Sequence, residues 1–425
     1  MRFIRMAPLA LIFAVSPAPA VAGEPAFATL YAFQGGNGGA SPLAGLAAYG
    51  GRFYGSTSLG GGPAAGKGTV FEVSPARSGF AARVVHSFQG PPNDGLFPGA
   101  TPLVDASGTI FGTTSEGGDA TNCLGGGGCG TVFALAPSGN GYVESILYDL
   151  QGGDDGAYVS GNLVEDAAGN LFGTTSSGGG SANCTYGCGT VFELSPAGNG
   201  YVERVLHRFR GGSDGASPNS LVLGSDGATV YGTTAAGGAG ACASRCGTLF
   251  ALSPASGGYA YAVVHRFSGR RDGSAPSVWL LDANGELLGT TQSGGGDGCY
   301  AGTGCGTIFA FALKPGGDAL ETLYRFDGSD GYQAGALIAG SGGVVYGVTA
   351  LGGGGAARLC EFGCGTVFAL EPSKARGYAL RVLHRFRWTD GAIPEGPLLA
   401  SNGTLYGVTD SAGPGGFGTI FELRQ

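Results

Sequence analysis

Residues 163–215 read LVEDAAGNLFGTTSSGGGSANCTYGCGTVFELSPAGNGYVERVLHRFRGGSDG, and their punctuation decides the fold. Four short runs rich in Leu, Val, Thr and aromatic residues alternate with turns built from Gly, Asn, Ser and Pro, a composition of strands rather than helices. The Leu163 run ends in the Gly-bearing turn DAAGN, the run LFGTT follows, and tight turns of this kind join hairpin strands. A Gly-rich loop then leads to GTVFEL, and Ser195-Pro196 reads as a turn before the fourth run, VERVLHRF.

The unit recurs along the chain. Its Y/F-G-x-T box lies at Tyr54, Phe111, Phe172, Tyr231, Leu288 (as LGTT), Tyr346 and Tyr406, spaced by 57, 61, 59, 57, 58 and 60 residues. Its G-T-[VIL]-F box lies at Gly68, Gly130, Gly189, Gly247, Gly306, Gly365 and Gly418. Seven units of one supersecondary structure call for a repeat architecture. The ends select which one. The first run, Thr29 to Phe33, is a lone fourth strand, and the last, Gly418 to Leu423, is a lone third strand. An open array would leave both edges unpaired. The expectation is an all-β, seven-bladed β-propeller of four-stranded blades, closed by the N-terminal strand completing the last blade. A β-helix is the alternative, but four hairpin-linked strands in nearly 60 residues are too long for one coil.

The pattern LVxDxxGNLFGTTSxGG…CGTVFELSP…VLHRFxGxxDG resembles the GloVer tandem repeat of bacterial exported proteins over essentially the whole chain beyond its N-terminus. The resemblance implies an exported, propeller-like protein of unassigned activity, often joined to a C-terminal surface anchor. The sequence stops at Arg424-Gln425 without a hydrophobic tail, and no such anchor is expected.

Composition agrees with a turn-dense β protein. Of 425 residues, 89 are Gly, without a G-X-Y period, while 43% hydrophobic content supplies a core. Arg2 and Arg5, the apolar run Ala7 to Val15 and Ala20-Val21-Ala22 read as a signal peptide, residues 1–22, leaving 23–425 as a single propeller domain. No apolar run is long enough for a transmembrane segment and no Cys near the cleavage point offers a lipid anchor, so the protein is expected to be secreted or periplasmic. A net charge of −8 with only three Lys argues against nucleic acid as partner.

The ten Cys fall into five local pairs in units two to six: Cys123/Cys129, Cys184/Cys188, Cys242/Cys246, Cys299/Cys305 and Cys360/Cys364. Cysteines that come and go together within a unit, in an exported chain, read as disulfides. All four His (His86, His207, His265, His384) occupy one repeat position, which holds Tyr31, Tyr148 and Tyr324 in the other units. That exchange fits a half-buried ring making one hydrogen bond, not a catalytic base. Asn37, Asp94, Asp155, Asp214, Asp272, Asp330 and Asp390 precede Gly before each first strand. The six Asp are the candidate metal set, a ring that would hold Ca²⁺ or a polar ligand; equally, each can cap its own turn. Trp388 is the candidate ligand-binding residue, a sugar-stacking platform. Catalytic signatures such as G-x-S-x-G and H-E-x-x-H are missing.

Three readings follow. The first is a monomeric, non-enzymatic binding protein using the face that carries the cystine loops, with a glycan or envelope protein as partner. The second is a carbohydrate-active or lactone-type hydrolase with its site in the central channel, drawing on a non-repeated acid such as Glu116 or Glu361. The third is a structural component of the envelope or matrix.

Overall fold

The computed structural model describes residues 25–425 apart from 63–65, 77–78, 120–122, 124–125, 199, 239–241, 243–245, 283, 300–301, 314–319, 355–359 and 374–376. The expected leader lies outside the described residues. The chain forms seven antiparallel sheets, one per repeat, arranged as a seven-bladed propeller. Blade 3 shows the pattern, from axis to rim: Ala157–Glu165, Leu171–Ser177, Thr190–Ala197 and Gly200–Arg208. Blade 7 takes its inner three strands from Ala392–Ser401, Thr404–Ser411 and Thr419–Arg424, and its outer strand from Ala26–Ala32, which pairs from Ala26↔Arg424 to Ala32↔Thr419.

The two sequence boxes turn out to be cross-strand partners. In blade 3 the box glycine, Gly173, pairs directly with Phe192 of the G-T-V-F box. A Cβ on the box glycine would stand 2.3–2.5 Å from the Phe ring in every blade. Two residues along, the two box threonines share a hydroxyl hydrogen bond, Thr175 to Thr190 at 2.9 Å, and the equivalent pairs in the other six blades lie at 2.7–2.9 Å. Those threonines are fully buried, so mutual bonding satisfies groups that water cannot reach.

Blades are joined by aromatic packing. The Phe that follows each outer strand meets the third-strand Phe of the next blade edge to face: Phe209 on Phe250 at 5.3 Å, and across the closure Phe33 on Phe71 at 5.2 Å. Such pairs contribute roughly 0.5–1.5 kcal/mol each beyond the area they bury. Blade 2 substitutes Leu150.

Three details depart from the sequence expectation. Ser195-Pro196 is strand rather than turn, with Pro196 paired to Tyr201. The second strand has ended by then, so the strand's other edge is free and the missing N–H breaks no ladder. The inner strand of blade 2 is split into Gly95–Pro98 and Leu103–Val104, and that of blade 1 is reduced to Ala47–Tyr49. In blade 2 the Leu comes nine residues after the Asp (Asp94 to Leu103), against seven or eight in blades 3 to 7.

Candidate functional site

The inner-strand starts, the interblade connections and the loops between second and third strands share one face. At the third residue after each Asp, the chain adopts a left-handed conformation, φ between 52° and 60°, at Phe97, Tyr158, Ser217, Ala275, Gln333 and Ile393, with Ser41 as the blade 1 counterpart. This turn aims the backbone N–H at the preceding blade. It is accepted by the carbonyl of Lys67, Cys129, Cys188, Cys246, Cys305, Cys364 or Phe417, at 2.8–3.3 Å. The second cysteine of each pair is therefore an interblade anchor as well as a disulfide partner. All five expected pairs are bonded, with Cα separations of 5.2–5.4 Å. The interblade turn rests on the cystine: a Cβ on Gly152 would come 2.9 Å from Cys123 Sγ.

The Asp and the His/Tyr positions form one device. A bulge in each outer strand, at Leu206 in blade 3, reverses the side-chain alternation and turns the next residue into the interblade groove. His207 Nε2 then lies 3.2 Å from Asp214 Oδ2, His265 3.4 Å from Asp272, and His384 3.3 Å from Asp390. Tyr148 and Tyr324 donate their hydroxyls to Asp155 and Asp330. Each Asp also accepts a backbone N–H of its own turn, as Asp214 does from Arg210 at 2.8 Å. Burial resists ionisation of Asp214, but the bonds from His207 and Arg210 outweigh it and hold the carboxyl below its ordinary range. Asp330, facing a tyrosine, is instead pushed up by burial. In blade 1 the glycine that packs on Thr57 is Gly39, so Gly38 rather than Asn37 holds the Asp position, below Tyr31. Among the described residues no three of the six aspartates gather at one point. The one grouping of three metal-ligating side chains among the described residues joins Asp94 to a histidine and a glutamate.

On this same face, between blades 4 and 5, a cavity of about 1080 Å³ is lined by Arg270, Arg271, Arg325, Asp297, Thr303 and glycine backbone. Among the described residues the arginine–carboxylate ion pairs lie elsewhere, on Glu72, Glu371 and Glu422, and none engages these three arginines. Trp388 is 36% exposed, in the connection between blades 6 and 7, with its carbonyl accepting the Gly413 N–H at 2.9 Å.

The central channel is narrow, about 340 Å³, and lined from six blades by Leu43, Thr101, Asn162, Asn219, Trp279 and Glu395. Trp279 donates its indole N–H to Thr290 at 2.8 Å. Glu395 stands two residues beyond the left-handed turn, where the other inner strands carry Leu43, Gly99, Ser160, Asn219, Ser277 and Gly335. Burial, reinforced by the charge of Asp410, pushes its carboxyl up to about 7. Sequence inspection passed over Glu395; aligning inner strands on the residue after the Asp-Gly pair exposes it as the one acid in its column. Glu116 and Glu361 lie instead in and beside the loops of the cystine face.

These features define a disulfide-studded, seven-bladed repeat propeller. The chain belongs to the Gloeobacter/Verrucomicrobia repeat family, whose profile matches residues 9–241, 127–358 and 244–425. No functionally curated protein matches it. Among solved structures it is similar to a protein of Bacteroides fragilis proposed to be a 6-phosphogluconolactonase (12% identity, TM-score 0.51, covering 86% of this chain and 87% of that one). It is also similar to a puromycin-hydrolyzing peptidase of Mycobacterium tuberculosis (12%, 0.51), matching 87% of this chain but 49% of the peptidase. PorZ, a surface component of the type-IX secretion system of Porphyromonas gingivalis, matches at 14% and 0.50, over 93% of this chain and 48% of PorZ. At these identities the likeness concerns the fold alone.

Proposed function

We propose that the protein is an exported, monomeric, non-enzymatic binding protein whose cystine-loop face takes a glycan of the cell envelope bearing anionic groups. The supporting observation is the cavity between blades 4 and 5, where three arginines with no ion pair among the described residues, Arg325 donating to the Arg271 carbonyl, meet serine and threonine side chains in an otherwise acidic protein. Arginine forks suit carboxylate, sulfate or phosphate groups. Five disulfides and the lack, among described residues, of a helix able to cross a membrane fit an oxidising, extracytoplasmic setting. Export by a leader and a secreted or periplasmic destination are part of the proposal.

The test is binding of the purified protein to acidic and neutral polysaccharides, with Ca²⁺ and with EDTA. Saturable binding of acidic glycans, weakened by Arg270→Ala with Arg271→Ala, supports the reading. Equal binding by that variant, or none by the parent, overturns it. Trp388→Ala tests the stacking platform separately.

A second reading, a hydrolase of carbohydrates or lactones, draws on Glu395, the single acid of the channel lining, with a carboxyl poised to donate a proton near neutral pH. Product release abolished by Glu395→Gln would move this reading ahead.

A further inference from the structure

The groove between blades 1 and 2 differs from the other six. His86 ends the outer strand Phe80–Ser87, Asp94 lies in the following turn, and Glu144 reaches in from the outer strand Gly141–Asp149 of the next blade. His86 Nε2 is 3.6 Å from Asp94 Oδ2 and 3.3 Å from Glu144 Oε1, and the three ligand atoms all lie within 4.8 Å of one another. An ion bound tetrahedrally at 2.0–2.1 Å holds its ligand atoms about 3.4 Å apart. His86 Nε2 and Glu144 Oε1 are both shut off from water, yet neither has a hydrogen-bond partner. Two orphaned polar atoms facing each other in a buried groove are a costly arrangement unless a third group completes it.

We propose that His86, Asp94 and Glu144 bind one divalent transition-metal ion of the zinc type. Two carboxylates and a neutral imidazole balance the charge of a divalent cation. The three protein ligands leave a fourth position for water or a ligand group. Calcium is a poor match, because it takes six to eight oxygens. The supporting contacts of a metal site are in place. Asp94 is fixed by the N–H groups of Gln89 and Gly95, both at 2.6 Å, and the His86 ring packs edge-on against Phe88 at 4.6 Å.

The other grooves show why the site occurs once. Four residues before each His or Tyr, the outer strands carry Phe27, Ala82, Glu144, Glu203, Tyr261, Leu320 and Leu380, and this side chain faces the preceding blade's His or Tyr. Tyr261 stacks on His207 at 3.6 Å and Phe27 on His384 at 3.9 Å, filling the place of a carboxylate. Glu203 does supply a carboxylate, but it faces Tyr148, not a histidine. Among the described residues, histidine, aspartate and glutamate coincide only where blades 1 and 2 meet.

The experiment is titration of the chelator-treated full chain with ZnCl₂ by calorimetry, with Co²⁺ as a spectroscopic probe of tetrahedral coordination. The proposal expects one tight equivalent per chain and Co²⁺ d–d absorption. His86→Tyr and Glu144→Leu install residues that equivalent blades already carry, so the fold tolerates both. Each is expected to weaken binding by at least about 100-fold. His207→Tyr, at a groove without a second carboxylate, should change nothing. A parent protein with no saturable Zn²⁺ site, as expected if the three groups merely share protons, overturns the proposal. So does unchanged binding in the His86→Tyr, Glu144→Leu double variant.

Discussion

The ring of Phe192 occupies the space in which a side chain on Gly173 would stand, at a projected 2.4 Å from its Cζ. The contact spans an antiparallel pair in which the two residues sit opposite each other, and it is repeated in all seven blades. It explains why the chain carries a glycine inside a strand, where glycine ordinarily weakens it: the ring replaces the missing side chain.

Gly173→Ala is therefore expected to destabilise the protein by roughly 1–3 kcal/mol, the range for overpacking a core. Urea denaturation measures it. An unchanged midpoint would show that the Phe192 ring can move aside.

The closing strand bears on the whole ring. Removing residues 25–33 strips the partner from Thr419–Arg424 and takes Phe33, fully buried, from its place on Phe71. Loss of a buried Phe alone costs about 3–5 kcal/mol. A lower melting temperature and self-association through the bared edge are expected, read by calorimetry and size-exclusion chromatography.

The disulfides close short loops of four to six residues in sequence separation. Each is worth about 2 kcal/mol on the chain-entropy estimate. Native protein should show no DTNB-reactive thiol, against ten after denaturation and reduction. Cys184→Ser with Cys188→Ser should leave the propeller folded with a modestly lowered melting temperature, because the Cys188 anchor to Ser217 uses a backbone carbonyl.

Glu395 sets a pH dependence. Its carboxyl, raised by burial and by Asp410 from 4.5 to about 7, binds its proton more tightly folded than unfolded. Its contribution to stability is thus complete below about pH 4.5 and declines as pH rises through about 7. Glu395→Gln should raise the melting temperature at pH 8 more than at pH 4. Equal shifts at the two pH values would mean that the carboxyl titrates normally.

Repetition made the fold legible in the sequence. Seven copies of two boxes specified blade number, strand number and closure, because each blade solves one local problem: Gly under Phe and Thr against Thr in all seven, with Asp-Gly at the turn in six. The pairing of cysteines was legible for the same reason, since partners lie within one loop. Periodic positions could be recognised one at a time, yet not as partners: the His/Tyr and Asp columns meet only because a bulge turns the outer-strand ring toward the turn that follows. The one-off features were hidden altogether. Glu395 reaches the channel and Glu144 reaches His86 through neighbours on other blades, far away in sequence or separated by a whole repeat. Local hydrogen bonding and side-chain alternation are written in the order of residues. Which side chains from different blades share a groove depends on the radius and closure of the ring, and those exist only in the folded chain.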